Sequence, residues 1–361
     1  MAILTKETKM AHHHSNAMLE VPFIIAIRKI KSFAVSAGLN IEREEGGVLV
    51  RLGSGSLKVA GDRKTTSLEL TAQSPAMLQQ LRDAVALRME KLETAVTWEA
   101  VVASSRHPAN LSIATVASLE RISPSYTRIV IDGPDLARFT EGSLHFRLLL
   151  GPDGAGWPEI DAGGVTTWPG GGMSAWHRPV YTTRSFELGA DGAARLAFDV
   201  FLHDGGRVTE WTRDLAVGTE IAITGAGGGG RATNETKWHC LIGDETAMPV
   251  IARMLERLPL DAEGVAMVII PDAKDAQDLI HPDGVSLNWV LRGENTNPTN
   301  ILSQIELPDQ DRFVYVAAER DEVAEARRYL KEHGLAKNEA SCFSYWSASS
   351  AEDGLQKASN Q

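Results

Sequence analysis

WHCLIGDETAMP (238–249) decides the fold. His239-Cys240-Leu241-Ile242 is a short apolar run that reads as a strand. A polar turn follows, and Ala247 to Leu258 carries helical spacing. Strand, turn and helix in that order open a parallel sheet with helices on its faces. The same alternation continues outward. Gly264–Ile270, Val285–Leu291 and Phe313–Ala318 are apolar strands. Glu322–His333 is a helix with Val323, Ala326, Tyr329 and Leu330 on one face, and Gly334 ends it. Ala340–Tyr345 is the last strand, so 236–347 is an α/β domain.

Upstream the period changes. Ser112–Val116, Thr127–Ile131, His145–Leu150, Ala194–Phe201 and Glu220–Thr224 are short runs separated by turn residues. Many short strands with one brief helix predict an antiparallel β-barrel over 108–234. A Gly/Pro-rich loop, Gly151 to Trp176, interrupts it. Loops of that length are functional or poorly ordered. Before the barrel, 19–103 reads as a small α+β domain. It has strands at Val48–Leu52 and Ser67–Thr71, then a helix entered at Ser74-Pro75 with Leu78, Leu81, Val85 and Met89 inward. Residues 1–18 contain His12-His13-His14 and read as an affinity-tag remnant outside the fold. Residues 348–361 read as a disordered tail. The fold class is thus multidomain α+β.

The bulk numbers bound the function. The 361 residues carry a net charge of −11, which argues against a nucleic-acid binder. No apolar run is long enough to span a membrane, and no signal-peptide core is present, so a cytoplasmic location is expected. The two cysteines, Cys240 and Cys342, form no metal-ligand spacing, so no metal site and no disulfide are expected.

Three segments carry chemistry. In Arg178-Pro179-Val180-Tyr181-Thr182-Thr183-Arg184, a strand offers an aromatic ring, hydroxyls and arginines. Such a strand can pack on a flavin, reach its ring nitrogen and pair with its pyrophosphate. A solvent-facing edge strand is the alternative. Asp199, His203, Gly206, Val208, Thr209 and Trp211 span a strand end, a glycine turn and a helix start. Free amides at a helix start suit a pyrophosphate. An ordinary turn and cap is the alternative there, and His203 is either a base or structural. Asp244 and Thr246 follow the first strand of the α/β domain, where open parallel sheets bind ligands; they also suit helix capping.

In this order, these segments resemble the siderophore-interacting protein family. Its flavin strand reads Arg-x-Tyr-Thr-x-Arg, and Gly243–Pro249 repeats its most specific signature with Met248 as the only change. Trp289-Val290-Leu291-Arg292, Val316-Ala317-Ala318-Glu319 and Tyr345-Trp346 match further. The resemblance covers roughly 110–347. It implies a FAD-binding β-barrel, then an α/β nicotinamide-binding-like domain. It also implies an FAD-dependent oxidoreductase that takes electrons from NADH or NADPH, or from a ferredoxin. The electrons would go to Fe(III) in a ferric siderophore, and no residue need act as acid or nucleophile. Arg178, Tyr181, Thr182, Thr183 and Arg184, with Asp199, His203, Gly206, Val208, Thr209, Trp211, Asp244 and Thr246, would hold the cofactor. Arg292 and Trp346 would face the siderophore.

The sequence departs from the family at three places. Pro179 stands where the first arginine is expected, so Arg178 lies three residues before Tyr181 and on the other strand face unless a bulge intervenes. Ala318 replaces a glycine, and Ser347-Ala348 replace a basic pair. A general NAD(P)H:flavin or quinone reductase and a non-catalytic flavin- or siderophore-binding protein are the alternatives.

Overall fold

The structure is a computed structural model, and it describes residues 13–36, 39–52, 55–90, 96–101, 105–139, 144–189, 193–227 and 236–348. The chain divides into two compact units. One holds residues 1–111 and 149–178; the other holds 112–148 and 179–361.

The first unit is built on a six-stranded antiparallel sheet. In chain order its elements are β1 (His13–Leu19), α1 (Phe23–Ser36), β2 (Asn40–Glu44), β3 (Gly47–Leu52), β4 (Gly55–Gly61), β5 (Thr66–Ala72), α2 (Pro75–Glu90) and β6 (Val96–Trp98). The strand order is β2-β3-β4-β5-β1-β6. Alternation decides which face is buried: Thr66, Leu68, Leu70 and Ala72 point inward from β5, with Leu78, Leu81, Val85 and Met89 of α2 packed in the same core. Ser74 caps α2, its Oγ accepting the Met77 amide at 3.2 Å.

Residues 13–18 correct the sequence reading. They do not lie outside the fold as a tag would. β1 pairs with β5 along its whole length, and its far end pairs with β6. The reason is period two: Ser15, Ala17 and Leu19 alternate into the core, and a histidine run masks that pattern. Residues 1–12 and 349–361 lie outside the described residues.

The second unit begins with β7 (Leu111–Ser123), β8 (Tyr126–Gly133), β9 (His145–Leu149), β10 (Val180–Thr182), β11 (Ser185–Leu188), β12 (Ala194–Phe201), α3 (Arg207–Asp214) and β13 (Glu220–Gly227). The sheet order is β10-β9-β13-β7-β8-β12-β11. The two ends of this sheet, β10 and β11, are consecutive in the chain. The Thr183 amide donates to Leu144 O at 2.8 Å, and the next amide, Arg184, donates to Ala197 O at 2.7 Å. One strand therefore pairs with both ends of the sheet and closes it into a barrel. Phe146 and Phe198 fill the interior edge to face, their ring centres 5.2 Å apart.

The α/β part follows: β14 (Trp238–Gly243), α4 (Met248–Leu255), β15 (Glu263–Ile270), β16 (Val285–Leu291), α5 (Pro298–Leu302), β17 (Arg312–Glu319), α6 (Arg320–Glu332) and β18 (Ala340–Trp346). All five strands are parallel, in the order β16-β15-β14-β17-β18. The order reverses between β14 and β17, so the loops after those strands diverge and leave a crevice at their carboxyl ends.

Candidate functional site

The closing strand of the barrel positions the first group of side chains. Tyr181 packs between Phe146 and Phe198, at 6.3 and 5.4 Å between ring centres. Thr182 turns the other way, and its hydroxyl meets His145 Nδ1 at 3.3 Å. Arg184 Nη1 donates to Glu256 Oε1 at 2.6 Å, and Glu256 lies 3.7 Å from Arg253. Two guanidinium groups thus share one carboxylate. The Thr183 hydroxyl and the Nε atoms of Arg184 and Arg253 are buried with no hydrogen-bond partner. Buried donors left unmade cost about 1–3 kcal/mol each, so their clustering at the seam fits an anionic, acceptor-rich group such as the diphosphate of FAD.

The second group surrounds the start of α3. Gly206 is the residue before the helix, and a side chain there would meet the His203 ring at 2.7 Å. Thr209 lies in the first turn, and its hydroxyl accepts the His203 amide at 3.1 Å. Val208 and Thr209 are buried, while Trp211 is half-buried. A cavity of about 450 Å³ lies beside this turn, lined by Leu119, Arg121, Thr127, His203, Thr209 and Arg213. Asp199 is fully buried and holds Arg128 through two bonds of 2.7 and 2.9 Å. Its carboxylate is therefore spent on an ion pair.

The third group lies at the sheet crevice. Asp244 Oδ1 accepts the Thr246 amide at 2.9 Å and the Thr246 hydroxyl at 2.6 Å, and Oδ2 accepts Trp346 Nε1 at 2.7 Å. Asp244 thus organises the turn before α4 and ties the end of β18 to it. Burial, reinforced by the neighbouring Glu245 charge, pushes its carboxyl above the usual carboxylate range. The Tyr126 hydroxyl donates to Glu245 O at 2.7 Å, which fixes the same loop to the barrel. Arg292 is paired with the Glu245 carboxylate, its Nε at 3.2 Å.

Arg178 is the last residue of the 149–178 segment. It belongs to the first unit, where its guanidinium lies 4.9 Å from the ring centre of Trp168.

One feature was not anticipated from the sequence. His145 Nε2 lies 3.4 Å from the Tyr345 hydroxyl, which lies 3.0 Å from that of Tyr315. With Thr182 these groups form a polar chain from β10 to the α/β sheet. Burial pushes the Tyr315 hydroxyl up to about 12, so the phenol stays protonated. Burial lowers His145, so its ring is neutral at neutral pH. The folded state therefore takes up its proton later than the unfolded chain, whose histidines titrate near about 6.5. Stability is expected to fall as pH drops through that value, and to level off below the folded pKa. Denaturation midpoints across that window should fall less for His145→Gln than for the parent. His239, which burial also lowers, keeps a residual slope.

Comparison with known proteins agrees with this layout. A family model described as siderophore-interacting FAD-binding domain matches residues 115–230, and one described as siderophore-interacting protein matches residues 236–349. The chain is 26% identical to the ferric vibriobactin reductase of Vibrio cholerae over 239 residues, which is 62% of this chain and 85% of that protein. It is 27% identical to an NADPH-dependent ferric-chelate reductase of Escherichia coli, over 65% of this chain and 92% of that protein. Two solved structures are similar. A siderophore-interacting protein from Aeromonas hydrophila has a TM-score of 0.54 at 26% identity, covering 66% of this chain and 98% of its own. A siderophore utilization protein from T. fusca has a TM-score of 0.55 at 26% identity, covering 66% of this chain and 93% of its own.

Proposed function

The chain belongs to the siderophore-interacting protein family, and from that premise we propose that it is an FAD-dependent reductase of ferric siderophores that releases iron as Fe(II) in the cytoplasm. The observation that supports it most is the cluster of orphaned donors at the barrel seam, Thr183 Oγ1 and Arg184 Nε, on the strand that also carries Tyr181 and Thr182. FAD supplies the conversion of a two-electron donor into the single electrons that reduce Fe(III).

Each side chain then has a defined task. Tyr181 gives the ring system an apolar wall, and Thr182 offers a hydroxyl held in place by His145. Arg184, with Arg253 beside it, would bring positive charge to the diphosphate, and the amides at the start of α3 and the hydroxyl of Thr209 would offer it further donors. Trp346, fixed by Asp244, would present its indole at the end of β18 toward the substrate. NADH or NADPH is the donor, approaching the crevice at the carboxyl ends of β14 and β17; a ferredoxin is the alternative donor. Among the described residues no helix is long and apolar enough to cross a membrane.

A second reading has one observation in its favour. Arg292 is matched by Glu245, so its charge is not free for an acidic chelate. That favours a quinone or a free flavin as electron acceptor.

One experiment tests both. The purified protein, loaded with FAD, is mixed anaerobically with NADH or NADPH and its visible spectrum followed. The flavin bands should bleach, and a ferric siderophore should restore them faster than a quinone does. Bands that return only with quinone would favour the second reading. Protein that takes up no FAD would overturn both.

A further inference from the structure

The Gly/Pro-rich loop leaves the barrel after Leu149 and returns at Val180, yet it groups with the N-terminal sheet rather than with the barrel. Its base is closed by paired amide bonds between Leu150 and His177, both 2.9 Å. Its middle is a small two-stranded ribbon, Glu159–Ile160 against Thr166–Thr167.

The contacts that hold the ribbon tip form a built socket. Asp83 of α2 accepts the Thr166 amide at 3.0 Å and the Thr166 hydroxyl at 2.7 Å. Gln79 and Arg82 both donate to Gly164 O, at 2.9 and 3.1 Å. Gln79 and Arg82 are 3% and 5% exposed, so these polar groups were removed from water to meet this segment. Arg82 is itself braced by Ser15 of β1 at 3.1 Å. Gly164 has a φ of +75°, and a Cβ there would stand 2.5 Å from Arg82 Nη1, so the socket fits a glycine at that point.

We propose that the N-terminal α+β module is a docking module whose ligand is the chain's own insertion, and that this docking sets the position from which the flavin strand starts. A merely fused domain needs no buried arginine and glutamine and half-buried aspartate turned toward another segment. Such groups are costly unless paired, and here the insertion pairs them. Three tryptophans, Trp157, Trp168 and Trp176, pack together within the insertion, and Arg178 at its end lies over Trp168. The next residues are Pro179, whose carbonyl accepts the Leu148 amide at 3.0 Å, and then β10 with Tyr181 and Thr182. The anchored end of the insertion and the start of the flavin strand are therefore covalent neighbours. The inference rests on the FAD-binding barrel and does not depend on which acceptor the enzyme reduces.

The test uses the full-length, FAD-loaded protein and three variants: Gly164→Ala, Thr166→Val and Thr166→Ser. Limited proteolysis with mass mapping reads the docking, and FAD titration reads its effect on the strand. Gly164→Ala and Thr166→Val should raise cleavage within 151–178 by about tenfold, as a segment released from its socket opens more often. They should also weaken FAD binding several-fold. Thr166→Ser keeps the hydroxyl and should match the parent in both readouts. Thr166→Val lies on a surface ribbon, so the test survives if Gly164→Ala fails to fold. Unchanged cleavage in Thr166→Val would overturn the docking. Faster cleavage with unchanged FAD affinity would overturn its role in positioning the flavin strand.

Discussion

Replacing Arg184 by alanine is expected to lower FAD affinity about 100-fold while leaving the protein folded. The guanidinium is oriented by Glu256 and has a buried Nε without a partner. One charge-assisted bond to a diphosphate, at about 1.5–3 kcal/mol, accounts for a loss of that size, since about 1.4 kcal/mol is tenfold. The fold should tolerate the change, because Arg253 remains 3.7 Å from Glu256 and keeps that carboxylate paired. Lysine at 184 should recover only part of the affinity, because an ammonium cannot reproduce the planar fork. Fluorescence titration of the apo-protein with FAD, alongside thermal melts, separates the two effects. A variant with parental affinity would remove Arg184 from the cofactor site.

Arg128→Ala is expected to cost about 3 kcal/mol or more of stability, the range for breaking a buried pair. The Asp199 side chain has no solvent-exposed surface, and its two oxygens bond only to Arg128 among the described contacts. Removing the arginine leaves an uncompensated charge inside the barrel wall. The hydrogen bond to Asp199 raises the guanidinium pKa still further, so Arg128 stays charged across the accessible pH range. Replacing both residues with apolar ones of similar size should recover most of the loss, since the penalty belongs to the stranded charge. Denaturant melts of the two single variants and the double variant measure this. The double variant also asks whether Asp199 serves the cofactor. If it does not, the double variant binds FAD like the parent.

The parts of the fold that the sequence makes legible are those with a clean period. β8 alternates buried and half-buried residues from Thr127 to Asp132, and α6 shows both its buried stripe and its terminal glycine, Gly334, at a φ of +77°. α1 was not legible, because Ile24, Ile25 and Val35 are exposed apolar residues that blur its buried face. β1 was hidden by its histidines. At the site, the local segments could be read because each is contiguous: Thr209 beside His203, and Asp244 beside Thr246. What could not be read is what folding brings together from afar. His145 and Tyr345 are 200 residues apart, and neither sits in a pattern that points to the other. The same holds for Asp83 and Thr166, 83 residues apart. Pro179 shifts Arg178 off the strand face of Tyr181, and the guanidinium lies over Trp168, a ring that sequence alone does not pair with it.

The barrel is closed by one strand whose successive amides pair with opposite ends of the sheet. A barrel of this kind has a zipper, and its cofactor would sit on the fastener. A ligand that grips Tyr181 to Arg184 holds both edges at once, so loss of flavin and opening of the sheet become a single event. Occupancy then governs lifetime: the apo-protein should expose strand edges, exchange the Thr183 and Arg184 amides with solvent quickly, and be cleared sooner than the loaded form. Flavin supply would set how much of this protein a cell retains.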